Sequence, residues 1–165
     1  IKSIFFETFF STLLEIENKG RCFQNVLNEM FSSSYAISGD VNAGVDPSYK
    51  DVFELKNASF IGGGVVLTKF TGARGKAGSS DASAEYVGKI RSLFNEANIV
   101  WQAAELGKVD EGGGGTVAKD IAIRGIEVID CGPALLSMHA PLELSSKADL
   151  YYTYLANKVF FEKMK

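Results

Sequence analysis

Short strand-like segments alternate with helical segments along this 165-residue chain, and that alternation limits the folds it can adopt. The clearest strand-like segment is 126–131, and shorter ones occupy 34–40, 65–70 and 99–104. Strands that alternate with helices form α/β domains, because each connecting helix packs against a face of the sheet. The pattern therefore predicts an α/β domain on a mixed, largely parallel sheet, with no internal repeat and no domain boundary.

Helices are predicted where apolar residues recur every three or four positions. They cover residues 1–18, about 22–31, the segment after Asp81, and the segment from about residue 145 to the end. The first should be buried around much of its circumference, since a wide stripe of it is apolar: Ile4, Phe5, Phe6, Phe9, Phe10, Leu13, Leu14 and Ile16. Gly20 is its predicted stop, and Ser145 or Ser146 caps the last helix. Residues 71–80 are predicted to form an exposed loop, with a cap for the next helix at 79–81.

Composition narrows the class of function. Hydrophobic residues make up 46% of the chain and charged residues 22%, which is typical of a globular protein. With a formal net charge of −3 and no cluster of lysines or arginines, binding to nucleic acid is not expected. No apolar run approaches the roughly 20 residues that cross a bilayer, so no membrane partner is expected. Cys22 and Cys131 lie far apart without a CxxC spacing, which argues against a disulfide framework and favours a cytoplasmic location.

Asp40 is the first candidate functional residue. It follows a predicted strand and precedes a loop-like segment at 41–49. In open α/β sheets, ligand-binding side chains collect at the carboxyl ends of strands, where loops present them to a crevice. An aspartate in this position can equally cap a turn, and the residue alone does not separate the two roles.

His139 is the second candidate and the only histidine in the chain. It follows the strand-like segment 126–131 and lies between Pro133 and Pro141. The imidazole could bind a metal or serve as an ordinary structural histidine. Asp40 and His139 together offer zinc ligands, but a catalytic zinc needs about three protein ligands and a water. Ser-His-Asp catalysis is the competing use of these residues, and the Gly-x-Ser-x-Gly elbow is missing.

Four consecutive glycines at 112–115 precede a predicted helix that Gly125 ends. Backbone amides at such a position attract anions, so the run resembles a phosphate-binding loop. The specific nucleotide fingerprints fail, because no Gly-Lys-Ser/Thr follows and Val117 stands where the dinucleotide motif needs glycine. The glycines could instead let the backbone approach a neighbouring ligand or element closely.

Long segments of the chain resemble the aminopeptidase I/aspartyl aminopeptidase family of dinuclear zinc exopeptidases. The resemblance is carried by residues 107–119 and 129–139, and it extends over 38–40, 68–76 and 80–85 in the family's order. It implies a three-layer sandwich with helices on both faces of the sheet, incomplete in this chain. It also implies two zinc ions, peptide substrates and a homo-oligomer built from dimers.

Carried over residue by residue, the resemblance assigns metal binding to Asp40 and His139 and substrate binding to Lys69. Aspartyl members have a substrate-contacting histidine three residues after the metal-binding aspartate, where this chain has Ala43. This departure favours neutral or apolar N-terminal residues over strictly acidic ones as substrates.

Other site residues of the family precede the segment that this chain resembles. They are the first metal-binding histidine, the bridging aspartate and a Glu-Glu pair that includes the general base; an inserted dimerisation domain precedes it as well. Ile1 begins a sequence that reads as the middle of a helix. Residues 1–165 are therefore expected to be the C-terminal portion of a metalloaminopeptidase catalytic domain and to be inactive alone.

Three hypotheses follow from the sequence. The first is part of a zinc-dependent aminopeptidase, in which the side chains of Asp40 and His139 converge on one site. The second is a non-catalytic oligomeric binding or assembly module of the same fold. The third is a nucleotide-binding domain, which rests only on the glycine run.

Overall fold

The structure is a computed structural model that describes residues 4–17, 23–73, 77–108 and 111–164. The helices in these ranges are α1 (Ile4–Glu17), α2 (Phe23–Ser32), α3 (Ala84–Glu96), α4 (Ala118–Ala122) and α5 (Lys147–Lys163). The first strands are β1 (Tyr35–Ser38), β2 (Asn42–Ala43), β3 (Val65–Thr68), β4 (Phe70–Ala73) and β5 (Ala77–Asp81). The later ones are β6 (Trp101–Ala103), β7 (Gly113–Gly114), β8 (Glu127–Leu136) and β9 (Leu144–Ser145).

Strand β8 is the centre of a six-stranded mixed sheet with the order β1-β8-β3-β6. Strands β1 and β2 pair with β8 in parallel, and β3 and β9 pair with it antiparallel. Strand β6 is parallel to β3. A smaller antiparallel sheet has the order β5-β4-β7. The predicted α/β fold with a mixed sheet is confirmed.

Helices cover both faces of the large sheet. Tyr35 and Ile37 of β1 pack with α3 and α5, whose buried residues include Ile90, Phe94 and Phe160. Ala36, between them, packs instead with α1 and α2. Because successive residues of a strand point to opposite faces, the two cores lie on opposite sides of the sheet. The arrangement is the expected three-layer sandwich.

Helix α1 is less buried than the sequence predicts. Three of its residues, Phe6, Phe10 and Leu14, pack against Leu27 and Phe31 of α2. The other predicted stripe is exposed: Ile4, Phe5, Phe9, Leu13 and Ile16. The prediction of a helix buried around much of its circumference was therefore wrong, because α2 covers only one side of it. The predicted stop at Gly20 lies outside the described residues.

Two local predictions also fail around the smaller sheet. Residues 71–80 are not a simple loop, since β4 and β5 pair antiparallel there. Residues 79–81 belong to β5, and the cap of α3 is Ser83, whose hydroxyl accepts the Tyr86 N–H. At α5 the cap is Ser146, one of the two residues predicted.

None of the helices in the described ranges combines the length and apolar character needed to cross a bilayer.

Candidate metal-binding site on the loops after β1 and β8

Asp40 lies in the connection between β1 and β2, both of which run parallel to β8. Ser38 is the register partner of Asp130, and Asn42 is that of Ala134. The backbone of Asp40 therefore runs beside Gly132, so closely that a Cβ there would lie 2.0 Å from the Asp40 carbonyl oxygen. A side chain at position 132 would displace the connection that carries Asp40.

The carboxylate of Asp40 is half-buried and partly engaged. Its Oδ1 accepts the Val41 N–H at 2.8 Å, which fixes the orientation of the carboxylate relative to the loop. Its Oδ2 has no hydrogen bond to another described residue. A carboxylate held through one oxygen and open at the other has the chemistry of a zinc ligand.

A buried polar network lies directly behind the Asp40 loop. The amide of Asn42 donates to the Thr68 hydroxyl at 2.8 Å, and the hydroxyl of Ser59 donates to the Asn42 Oδ1 at 2.9 Å. All three side chains are buried. Since buried polar groups are costly unless they are paired, these bonds fix the loop against β3. This network could not be predicted from the sequence, because its members are separated along the chain.

His139 lies on the other loop, three residues after the end of β8. Its side chain is exposed, and its imidazole makes no hydrogen bond to another described residue. Its backbone φ is 68°, a left-handed conformation that residues with a Cβ rarely adopt. Its backbone N–H donates to the Glu143 carboxylate at 2.6 Å. The imidazole nitrogens are therefore accessible to a metal.

The structure places Asp40 and His139 at different positions along β8. Asp40 is level with Gly132, whereas His139 lies beyond Leu136, the last residue of the strand. In the part of the chain that is described, no three His, Cys, Asp or Glu side chains are grouped as a metal site. The two residues fit zinc by donor chemistry, and their convergence on one site stays a prediction.

Lys69 separates β3 from β4 and is exposed. Its ammonium forms an ion pair with the carboxylate of Asp81 on β5. The hydroxyl of Thr68, the residue before Lys69, accepts the hydrogen bond from Asn42. This buried bond therefore connects the segment that carries Asp40 with the segment that carries Lys69, although Asp40 and Lys69 are not in direct contact.

Asp130 is a buried carboxylate that the sequence did not single out. It is only 3% exposed, and its Oδ2 accepts the Thr116 hydroxyl at 2.7 Å. Burial raises the pKa of Asp130, the hydrogen bond from the Thr116 hydroxyl opposes that shift, and the charge of Asp40 adds to it. Thr116 follows the glycine run, so this bond attaches the glycine-rich segment to the central strand. Its only sequence signal was the position of Asp130 within an apolar strand.

The glycine run contributes β7 to the smaller sheet. Gly113 has φ 95°, and a Cβ there would lie 2.3 Å from the Gly72 carbonyl oxygen. Helix α4 begins at Ala118 and has five residues, so the run does not open directly into a long helix. These observations explain the glycines by close backbone approach, the alternative to a phosphate-binding loop.

Sequence comparison relates the chain to a single family. The sequence model described as "Aminopeptidase I zinc metalloprotease (M18)" matches residues 1–161. A curated relative from Thermotoga maritima, "Probable M18 family aminopeptidase 1", is 56% identical over 139 residues. That alignment covers 84% of this chain and 31% of the relative, so the chain spans about a third of its length.

Structural comparison gives the same result. The chain superposes on a structure described as an aminopeptidase of the M18 family from Thermotoga maritima with a TM-score of 0.93 and 50% identity. The match covers 99% of this chain and 36% of that one. A dodecamer from Saccharomyces cerevisiae, mApe1, matches with a TM-score of 0.64 and 17% identity over 83% of this chain and 28% of that one. At that identity the likeness shows a shared fold only.

Proposed function

The chain belongs to the M18 family of zinc metalloproteases, and from this premise we propose that it is part of a zinc-dependent aminopeptidase. The complete enzyme would remove N-terminal amino acids from peptides. One observation carries the proposal. The family match spans residues 1–161, and within it a carboxylate and an imidazole lie on loops after two parallel neighbours in the sheet.

In this proposal Asp40 and His139 each hold one of two zinc ions. The open Oδ2 of Asp40 and the accessible ring nitrogens of His139 support the assignment. Bound zinc would polarise the scissile carbonyl and lower the pKa of the attacking water. The remaining ligands and the general base would come from the other two thirds of the family's length. Residues 1–165 alone would then lack these groups and be inactive.

Lys69 is proposed to contact the substrate. Lys69 is exposed and directly follows Thr68, whose buried bond to Asn42 would fix the backbone that carries the lysine. Ala43, in place of the histidine of aspartyl members, removes a group that would bind an acidic side chain. Neutral or apolar N-terminal residues are therefore the proposed substrates.

We further propose a homo-oligomer built from dimers and a cytoplasmic location. The dodecameric assembly of a protein with the same fold supports the oligomer. The location is proposed from the cysteine usage of the sequence, and it agrees with Cys131, the described cysteine, being a buried free thiol.

The test uses the full-length protein that contains this chain, supplied with zinc. Leucyl and aspartyl p-nitroanilides are compared as substrates, and the leucyl compound should be cleaved faster. Asp40→Asn and His139→Ala should each lower kcat/KM by at least about 100-fold, because each removes a zinc ligand. Asp46→Asn is the matched control, since its Oδ1 only accepts the Ser48 N–H within the same loop.

A non-catalytic assembly module is the alternative function. It would be favoured if the zinc-supplied full-length protein released no amino acid from any aminoacyl substrate while still forming its oligomer. Size-exclusion chromatography with light scattering measures the oligomer in the same preparation.

A further inference from the structure

The loop between β8 and β9 contains two residues with left-handed backbone. Ser137 has φ 59° and His139 has φ 68°. Neither is glycine, and this conformation is unfavourable for residues with a Cβ. Such residues persist only where surrounding contacts hold them, and they occur often at functional sites. One of the two is the proposed zinc ligand.

The contact that holds His139 comes from Glu143. Its Oε1 accepts the His139 backbone N–H at 2.6 Å, a short bond strengthened by the carboxylate charge. A second bond, from the Ala140 N–H to the Ser137 carbonyl oxygen at 2.9 Å, closes the turn around them. Both bonds engage the backbone, so the imidazole remains free for a ligand.

Glu143 is itself fixed by the sheet. It immediately precedes β9, where Leu144 and Ser145 are register partners of Leu136 and Leu135. The Ser145 hydroxyl also donates to the Ala134 carbonyl oxygen at 2.9 Å. The carboxylate is therefore anchored to the central strand, and its bond transmits that anchorage to His139.

We propose that Glu143 is a positioning residue that holds His139 in the left-handed conformation required for zinc binding. The inference rests on the proposed function, because it takes His139 as a zinc ligand. Glu143 acts through the His139 backbone, where its carboxylate accepts the N–H. Without its bond, the backbone at His139 relaxes toward the commoner right-handed and extended regions, and the imidazole turns with it. Zinc affinity then falls in proportion to the fraction of molecules that still present the imidazole correctly.

The experiment measures zinc affinity of the full-length protein by competition with a chromogenic chelator, together with thermal unfolding of the metal-free form. Glu143→Ala should raise the zinc Kd about tenfold, within the range seen for residues that orient metal ligands. Glu143→Gln keeps an oxygen acceptor and should recover most of the affinity. The metal-free unfolding temperature should change little, since Glu143 is exposed. Glu143→Thr is a second variant, to be used if Ala disturbs the hairpin of β8 and β9. Threonine suits the position before β9 because it is a strand-forming residue.

Two controls separate this effect from general changes. Leu142→Ala alters the same loop at a residue that is 83% exposed, and Glu162→Gln removes a carboxylate on α5. Both should retain the zinc Kd of the unaltered protein. An unchanged Kd in Glu143→Ala and Glu143→Thr, alongside a weakened Kd in His139→Ala, overturns the positioning role alone. An unchanged Kd in His139→Ala instead overturns the proposed zinc role of that residue, and this inference with it.

Discussion

The side-chain amide of Asn42 donates a hydrogen bond of 2.8 Å to the hydroxyl of Thr68, although the two residues are 26 positions apart. Both side chains are buried. The bond joins the loop that carries Asp40 to the end of β3, where Lys69 follows. It is a direct, buried side-chain connection between the segments of two proposed site residues.

Replacement of Asn42 by Ala should destabilise the protein by about 1–3 kcal/mol, the cost of leaving one buried hydrogen-bonding group unpaired. The variant leaves the buried hydroxyl of Thr68 without its partner, whereas the Ser59 hydroxyl keeps its bond to the Ala43 carbonyl oxygen at 3.0 Å. Urea unfolding followed by circular dichroism measures the change. Asn28→Ala is the control, because Asn28 is exposed on α2 and should change stability by less than about 0.5 kcal/mol. Equal effects at both positions would contradict the proposed importance of the network.

Asp149 should contribute strongly to stability through the loop before β3. It is fully buried, and its two oxygens accept the N–H groups of Gly62 at 2.7 Å and Gly64 at 2.9 Å. Since hydrogen bonds to charged groups are worth about 1.5–3 kcal/mol each, Asp149→Ala should cost about 3 kcal/mol or more. Glu162→Ala on the same helix is the comparison and should be nearly neutral. A small effect of Asp149→Ala in chemical denaturation would show that water replaces the carboxylate.

Tyr86 provides a test that preserves packing. Its ring is buried between α3 and β1, and its hydroxyl donates to the Ala36 carbonyl oxygen at 2.7 Å. Tyr86→Phe keeps the ring but leaves that carbonyl unsatisfied, so the free energy of unfolding should fall by about 1–2 kcal/mol. Tyr154→Phe, at a residue 58% exposed, should have no measurable effect. If both variants unfold at the same urea concentration, the Tyr86 bond has no net value.

Because of Cys131, the free energy of unfolding should decrease as the pH becomes alkaline. Burial, with a smaller contribution from the charge of Asp130, raises the pKa of Cys131 to about 12. The unfolded thiol has its ordinary pKa of about 8.5, so between these values the unfolded chain loses a proton that the folded chain keeps. Stability is therefore fully present below the unfolded pKa and is lost as pH rises, by up to about 1.4 kcal/mol per pH unit. Urea unfolding at pH 8 to 11 should show a smaller decline in Cys131→Ala.

Alkylation checks the same thiol independently of stability. In a Cys22→Ser background at pH 8.5, iodoacetamide should leave Cys131 unmodified in native protein and modify it in urea, because the thiolate is the reactive form. Intact-mass measurement counts the added groups. Modification at equal rates in both conditions would contradict the burial of Cys131.

Variants of Lys69 and Asp81 distinguish a role of Lys69 in substrate binding from a role in stability. Its ion pair with Asp81 is exposed, with side chains 48% and 60% accessible, so Lys69→Met should change stability by less than about 1 kcal/mol. If Lys69 contacts the substrate as proposed, the same variant in the full-length protein should raise KM for the leucyl substrate about tenfold, since that charged contact would be lost. Asp81→Asn keeps the ammonium and should leave KM near its original value. Identical KM changes in the two variants would assign the effect to the ion pair.

Local sequence determined the classes of structure in this protein. Strand-like segments became β1, β3, β6 and β8, because the alternating or continuous pattern of apolar residues is a local property of the chain. Local patterns also predicted the hydroxyl cap at Ser146 and the positions of Asp40 and His139 after strands. The glycine run indicated that the backbone approaches another element closely. It did not indicate a strand, since its partner Gly72 is distant in sequence.

Only the tertiary structure decided the contacts made across long separations. The exposure of Phe5 and the packing of Phe6 on the same helix depend on where α2 lies, and the two residues are indistinguishable in the sequence. The reach of Asp149 to Gly64 spans 85 positions and depends on the register of β3 within the sheet. Local propensity acts over a few residues, whereas these contacts form only after distant segments have packed together.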